Sequence, residues 1–316
     1  MSFTYVIFGI SAVLTYSMQA VQSAIIGTIM SAMTIVINSC LNYILIFGNL
    51  GAPEMGIRGA AIATVISRCV ELVTIFVYIL FIDKKLHIRL SQLLGFDFYY
   101  IKDFVKVAVP VMMCGLLWGI GQAAQTAILG HIGENAIAAN SIASLFMQLI
   151  GAFGMACASA ASITMGKTIG EGRTDLVKPY ARTLQVAFII IGVASGLILF
   201  FCRYLIVDFY ILSEESRELT LTFITIYSFV MMGSIYEYPV EGGIISGGGN
   251  PKYQVIMDNI FMWCFTIPFA ALSAFVFNWS PAVTFIILKA DQVLKCIPNA
   301  IYCNSFKWVR NLTRDE

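Results

Sequence analysis

Apolar residues run in nine stretches of about 20 residues or more, divided by short polar breaks, at 3–25, 29–48, 59–82, 104–130, 136–165, 181–207, 219–245, 254–277 and 282–304. A helix of about 20 apolar residues spans the roughly 30 Å hydrocarbon core of a bilayer. The breaks carry helix-stopping residues: Asn49, Gly51 and Pro53; Gly130, Gly133 and Glu134; and the run Gly247, Gly248, Gly249, Asn250, Pro251. In lipid the backbone must satisfy its own polar groups, which long apolar runs do as helices. The pattern predicts an all-α membrane protein of about nine transmembrane helices.

Composition sharpens that reading. Apolar residues make up 59% of the chain and charged residues 12%, against about 25% charged in a soluble domain. A net charge of +1 gives no basic footprint for nucleic acid. The eight cysteines form no CxxC or Cys/His spacing, so neither a disulfide framework nor a metal site is expected. The two histidines, His87 and His131, fall in loops, and no HExxH or GxSxG run occurs, so the chain is not expected to be an enzyme. No signal peptide is expected, since the first stretch begins without a positive n-region. The sequons at Asn278 and Asn311 are read as chance.

Loop charge sets an expected orientation. Lys84, Lys85, Arg89, Lys102 and Lys106 follow the third stretch. Lys167, Arg173, Lys178 and Arg182 follow the fifth, and Lys307, Arg310 and Arg314 lie in the tail. The alternate loops are poorer in cations. The C-terminus is therefore expected in the cytoplasm. With nine spans the N-terminus then lies outside, which points to helices missing upstream. The first three stretches can also be laid over the last three, with Asn38 near Asp258, Gly48 near Pro268, and Arg68/Glu71 near Asp291/Lys295, as in transporters built from repeats.

A charge at bilayer depth costs at least about 2.5–3.5 kcal/mol on insertion scales and persists when paired, hydrated or functional. Asn38 and Asn42, four apart, share a helix face; interhelical hydrogen bonding is the structural alternative. Glu237 and Glu241 flank Pro239, which should kink the seventh helix. Two like charges on one face suit a proton or a substrate cation between them, unless the pair is simply solvated near the cytoplasmic end. Arg68/Glu71 and Asp291/Lys295 have ion-pair spacing, and Lys289 lies mid-span beside the latter. Gln122, Gln125, Tyr227 and Tyr236 line a cavity or pack. Small residues four apart, Gly115/Gly119, Gly166/Gly170, Gly192/Gly196 and Gly243/Gly247, would let helices approach closely.

The run from Asn38 through Asn42-Tyr43-Ile44-Leu45-Ile46-Phe47-Gly48, followed by GAPEMGIRGAAIATVISR (Gly51 to Arg68), resembles the multidrug and toxic compound extrusion (MATE) transporters. Further matches follow in order: Pro110 with Trp118-Gly119, LGHIGENAIAANSIA (Leu129 to Ala143), GGGNPK (Gly247 to Lys252) before Asp258, Trp263 and Pro268, and KWVRNL in the tail. The resemblance implies helices four to twelve of a twelve-helix, two-lobe plan. It implies residues 1–83 as half of the N-terminal lobe, 84–103 as a linker, 104–305 as the C-terminal lobe and 306–316 as a cytoplasmic tail. It implies H⁺- or Na⁺-coupled efflux of drugs or small organic cations by alternating access in a bacterial plasma membrane, with no cofactor beyond the coupling ion. Asn38 and Asn42 would then serve coupling in the N-lobe and Asp258 in the C-lobe, with Glu237, Glu241, Gln122, Gln125 and Tyr236 toward the substrate. There are departures: the segment QSAIIGTIMSAM lacks the family's charged run, and Cys114-Gly115 stands where many relatives carry an acid. The alternatives are a lipid-linked saccharide flippase of the same superfamily and an inactive fragment.

Overall fold

The computed structural model describes residues 2–20, 24–83 and 98–310. Helix dominates, and no strand occurs among the described residues. The chain divides at 102/103 into two units, near the end of the expected 84–103 linker; residues 84–97 of that linker and 311–316 of the tail lie outside the described residues.

The first unit holds α1 (Ser2–Ala20), α2 (Ala24–Phe47) and α3 (Ile57–Phe81). α1 and α2 both pack on α3, around Leu14, Met18, Ile75 and Ile79. The turn between α2 and α3 is built on left-handed backbone at Gly48 (φ 69°), Leu50 (φ 58°) and Gly51 (φ 83°), which glycine adopts without a Cβ clash. Met55 N donates to Leu45 O at 3.0 Å, closing the turn on the helix it leaves.

The second unit begins with three long helices, α4 (Phe98–Ile132), α5 (Glu134–Gly170) and α6 (Thr174–Asp208), of 35, 37 and 35 residues. At 1.5 Å per residue they reach roughly 52–56 Å, well beyond a hydrocarbon core. α7 (Glu214–Tyr238) starts on Ser213, whose hydroxyl accepts from Ser216 N, an N-cap. It is the hub of the unit, packed on α5, α6 and the last rod. Close approach comes from glycine. A Cβ at Gly192 would meet Met232 O at 2.7 Å, and one at Gly243 would meet Ala158 O at 2.8 Å. A Cβ at Gly115, Gly119 or Gly170 would meet nothing within 4 Å among the described residues, so these members of the expected small-residue pairs are not contact points there.

The last three expected spans exist as rods, but none is a plain α-helix. Pro239 lacks an N–H and its ring crowds the carbonyl of Ile235, and the helix widens there into the π turn Pro239–Ile245; the expected kink is a widening. The next rod runs α8 (Lys252–Ile260), π turn Phe261–Thr266, α9 (Ile267–Ala271) and π turn Leu272–Val276, with Pro268 inside it. The final rod is α10 (Pro281–Lys289), α11 (Asp291–Leu294) and α12 (Cys296–Ser305). Its second break, at Lys295, lies just before Pro298, whose ring crowds the carbonyl of Leu294. Among the described residues seven helices are long and apolar enough to cross a membrane. Lys289, Asp291 and Lys295 interrupt the last rod, and the described part of the first is a shorter apolar helix, Thr4–Met18.

The core of this unit has two parts. Phe223 stacks on Phe285 with centroids 3.8 Å apart, and Tyr227 meets Phe285 edge-on. Nearer the C-terminus, Trp308 is fully buried and its Nε1 donates to Cys303 O at 2.7 Å. Gly248 lies under its ring with no room for a Cβ, and Arg310 N donates to Gly248 O. The tail is thereby closed over the glycine-rich loop.

Candidate functional site

Each unit carries polar side chains at the depth of its spans. In the first, Asn42 Nδ2 donates to Asn38 Oδ1 at 3.0 Å and Asn38 Nδ2 donates to Ser67 Oγ at 3.1 Å. Ser67 Oγ donates onward to Ala63 O. This chain ties α2 to α3 and leaves Asn42 Oδ1 buried with no hydrogen-bond partner among the described residues. Arg68 pairs with Glu71 at 2.7 Å and its guanidinium lies 4.8 Å over the Phe8 ring. Hydrogen bonds between membrane helices average about 0.6 kcal/mol, with a maximum near 1.7. Asn38→Ala is expected to destabilise the protein within that range, measured by equilibrium unfolding in mixed micelles. A loss several times larger would show that Asn38 is more than a bridge.

The second unit gathers the larger cluster. Lys295 Nζ lies 2.7 Å from Glu237 Oε1 and 2.6 Å from Asp258 Oδ1. Glu241 adds a third carboxylate, and oxygens of Glu237, Glu241 and Asp258 all lie within 4.8 Å of one another. Glu237 and Glu241 are 4% and 1% exposed, and neither Glu241 oxygen has a hydrogen-bond partner among the described residues. The widened turn at Pro239 keeps both acids on the face toward α8 and the last rod. Lys295, on the last rod, reaches two of the acids with its ammonium.

The charge balance is uneven. Three carboxylates face one ammonium, and two like charges about 4 Å apart repel by about 4 kcal/mol at an effective dielectric near 20. The fully ionised group is short of positive charge. One more positive charge at the cluster would reduce that repulsion. The three acids offer oxygen ligands that suit a hard cation, and the Lys295 ammonium lies against two of them.

The cluster opens onto a cavity of about 740 Å³, the volume of a drug-sized site. Its wall includes Trp118, Gln122, Gln125, Glu237, Asp258 and Lys295. Gln122 and Gln125, for which the sequence left a cavity or packing open, are among its lining residues. Tyr236 is not: its hydroxyl donates to Gln185 Oε1 at 2.9 Å in the core beside Phe188 and Trp308. The next residue but one, Tyr238, lines the cavity instead, because successive helical side chains turn by about 100°. Tyr227 is likewise a core residue, against Phe285.

Three further expectations need correction. Asp291 and Lys295 do not form the pair their spacing allows; Lys295 reaches across to other helices, where two carboxylates compete for it. Glu237 and Glu241 are not a solvated pair at a helix end but are buried. Lys289, expected among the neutralised pairs, donates instead to Gln125 Oε1 at 3.1 Å. Gln148, Gln254 and Gln292 also line the cavity. A count of amides within the apolar stretches was the one available signal for them.

A model of the MatE family matches residues 110–272, which take in most of this wall. The chain belongs to the MatE family. Among its MatE relatives, "Probable multidrug resistance protein NorM" of Listeria innocua is 29% identical over 265 residues, 83% of this chain and 57% of that protein. The protein of the same name from Thermotoga maritima is 24% identical over 98% of this chain and 66% of its own length. This chain therefore spans less than two thirds of either relative. A crystal structure of MATE in complex with MaL6 superposes with a TM-score of 0.80 at 17% identity, over 95% of this chain and 66% of that one. A MOP superfamily transporter from Pyrococcus furiosus gives 0.76 at 17%, over 90% and 62%. At that identity the likeness establishes the fold, an all-helical one of the MATE type; the seven candidate spans and MatE membership make the chain an integral membrane protein.

Proposed function

We propose that this chain exports drugs or small organic cations by secondary active antiport with alternating access, coupled to H⁺ or Na⁺, in a bacterial plasma membrane with its C-terminus in the cytoplasm. The names of the Listeria and Thermotoga relatives support export. MatE membership, rather than any missing motif, sets an enzymatic reading aside. The observation that carries the proposal is the cavity of about 740 Å³ opening on Glu237 and Asp258, both held by Lys295, with Glu241 behind them.

The physics of coupling follows from the charge deficit. A proton or Na⁺ on the acids and a cationic solute in the cavity relieve the same excess of negative charge, so the binding of one weakens the binding of the other. Such a mutual exclusion, a coupling free energy between two ligands, is what an exchanger needs. It biases which side of the protein is open only through a difference in affinity between the two states. Asn38 and Asn42 belong to a separate amide chain in the first unit, and their part in coupling is proposed on the resemblance to the family.

The test is transport of a fluorescent organic cation in proteoliposomes with imposed H⁺ or Na⁺ gradients. Asp258→Asn is expected to uncouple export from the gradient, and Asn42→Ala to lower it severalfold. Export insensitive to both ions in the wild type would remove antiport. Coupled export unchanged in Asp258→Asn would remove the cluster from it.

A further inference from the structure

We infer that Lys178 and Arg182, in the first turns of α6, seat the headgroup of an anionic phospholipid whose acyl chain follows the exposed apolar strip of the same helix. The partner is a lipid of the leaflet nearest the tail. The inference stands on the membrane-spanning fold and does not depend on what the cavity carries.

The charges of α6 fix its depth in the bilayer. Between Arg182 and Arg203 the helix has no charged residue. That 21-residue step covers about 32 Å, close to the roughly 30 Å of a hydrocarbon core. Arg182 therefore lies at one edge of the core. Arg203, whose guanidinium packs on the Phe200 and Tyr204 rings, lies at the other. The headgroup layer adds about 5–7 Å on each side. Lys178, one turn outward at about 6 Å, falls within it.

The two cations share a helix face, being four apart, and both are exposed. Neither has a carboxylate within ion-pair distance among the described residues. Glu171 is taken up by Lys167 and Arg173, at 3.8 and 3.6 Å. Asp175 shares the face of Lys178 but lies about 10 Å outward of Arg182, in water beyond the headgroups. It forms no ion pair with either cation among the described residues. The Lys178 ammonium is also positioned, 5.4 Å over the Phe306 ring. Phe306 has left-handed backbone (φ 55°), a conformation uncommon for a residue with a Cβ. At that turn the tail presents Phe306 to Lys178 and Trp308 to the core. A cation on a ring face is not neutralised, so its charge stays available to a phosphate.

From Arg182 toward the membrane centre the same face is apolar and exposed, through Val186, Ile189, Val193 and Leu197, at helical spacing. Positive charge thus stands at phosphate depth and apolar surface at tail depth, in one line. A zwitterionic headgroup brings a cation of its own against Lys178; an anionic one does not.

The experiment uses the full chain in detergent and counts bound lipid by native mass spectrometry, during titration with dioleoyl phosphatidylglycerol and, separately, dioleoyl phosphatidylcholine. These share their tails and differ in headgroup charge. The wild type is expected to hold the anionic lipid roughly 25-fold more tightly, about fivefold for each cation, a ratio equivalent to about 1 kcal/mol. Lys178→Gln and Arg182→Gln should each remove about one such factor and leave phosphatidylcholine binding unchanged, and Lys178→Arg should keep the preference. Lys167→Gln/Arg173→Gln takes the same charge from the same end of the unit, and its preference should stay at the wild-type value. Since the substituted side chains are exposed, the variants should melt with the wild type in lipid-free detergent. Only the stabilisation by added phosphatidylglycerol should fall, in Lys178→Gln/Arg182→Gln. Equal binding of the two lipids by the wild type, an undiminished preference in Lys178→Gln/Arg182→Gln, or the same loss in Lys167→Gln/Arg173→Gln would each overturn the inference.

Discussion

Lys295→Met is expected to cost the fold about 3–5 kcal/mol, the penalty for leaving buried charge without its partner. Lys295 Nζ is the only ammonium within ion-pair distance of both Glu237 and Asp258 among the described residues, and it joins three parts of the second unit: the end of α7, α8 and the last rod. Without it, three carboxylates face one another inside a helical bundle. Proteins are stable by only about 5–15 kcal/mol, so the variant should give little folded material, seen as a lowered melting temperature and aggregation on size-exclusion chromatography. The same reasoning predicts rescue. Adding Glu237→Gln and Asp258→Asn to Lys295→Met removes the repulsion and should restore most of the lost stability, though not coupled transport. A stable single variant, or a triple variant no better than the single, would show that the ammonium does not neutralise this cluster.

Gly196→Ala is expected to destabilise by about 1–3 kcal/mol, the usual cost of overpacking. A Cβ at Gly196 would lie 2.5 Å from Ser228 O and 2.6 Å from Met232 Cγ. The methionine can move, but the carbonyl belongs to α7, so α6 and α7 must separate along their contact. Gly115→Ala is the control, because a Cβ there would meet nothing within 4 Å among the described residues. There the same change should be neutral or gain up to about 1 kcal/mol from helix propensity. Both are measurable by thermal unfolding in detergent. A Gly196→Ala protein as stable as Gly115→Ala would mean that the helices do not meet where the structure has them.

These two glycines illustrate what could be read from the sequence. Gly115/Gly119 and Gly192/Gly196 have identical spacing, yet only the second pair is a helix contact, since spacing places residues on one face without saying what that face meets. The same holds for the acids. The i,i+4 relation of Glu237 and Glu241 and the interruption at Pro239 were legible, and so was the cost of leaving the pair unbalanced. The partner was not. Lys295 had an acid at hand four residues earlier, and local spacing favoured Asp291; the proximity of α7 and α8 gave it two others. Tyr236 and Tyr238 differ only in which way a helix turns them. Lys289 looked like a member of a salt-bridge group because three charges lay close in sequence.

By itself the sequence determined that the chain is a stack of apolar helices, where they are punctuated, and which few polar groups lie among them, because bilayer thickness and backbone hydrogen bonding leave so few solutions for long apolar runs. Only the tertiary structure decided which polar groups share a cavity, which are locked in the core and which acids share one lysine. Those outcomes depend on helix rotation and on contacts between residues far apart in the chain. A 3.6-residue period constrains neither.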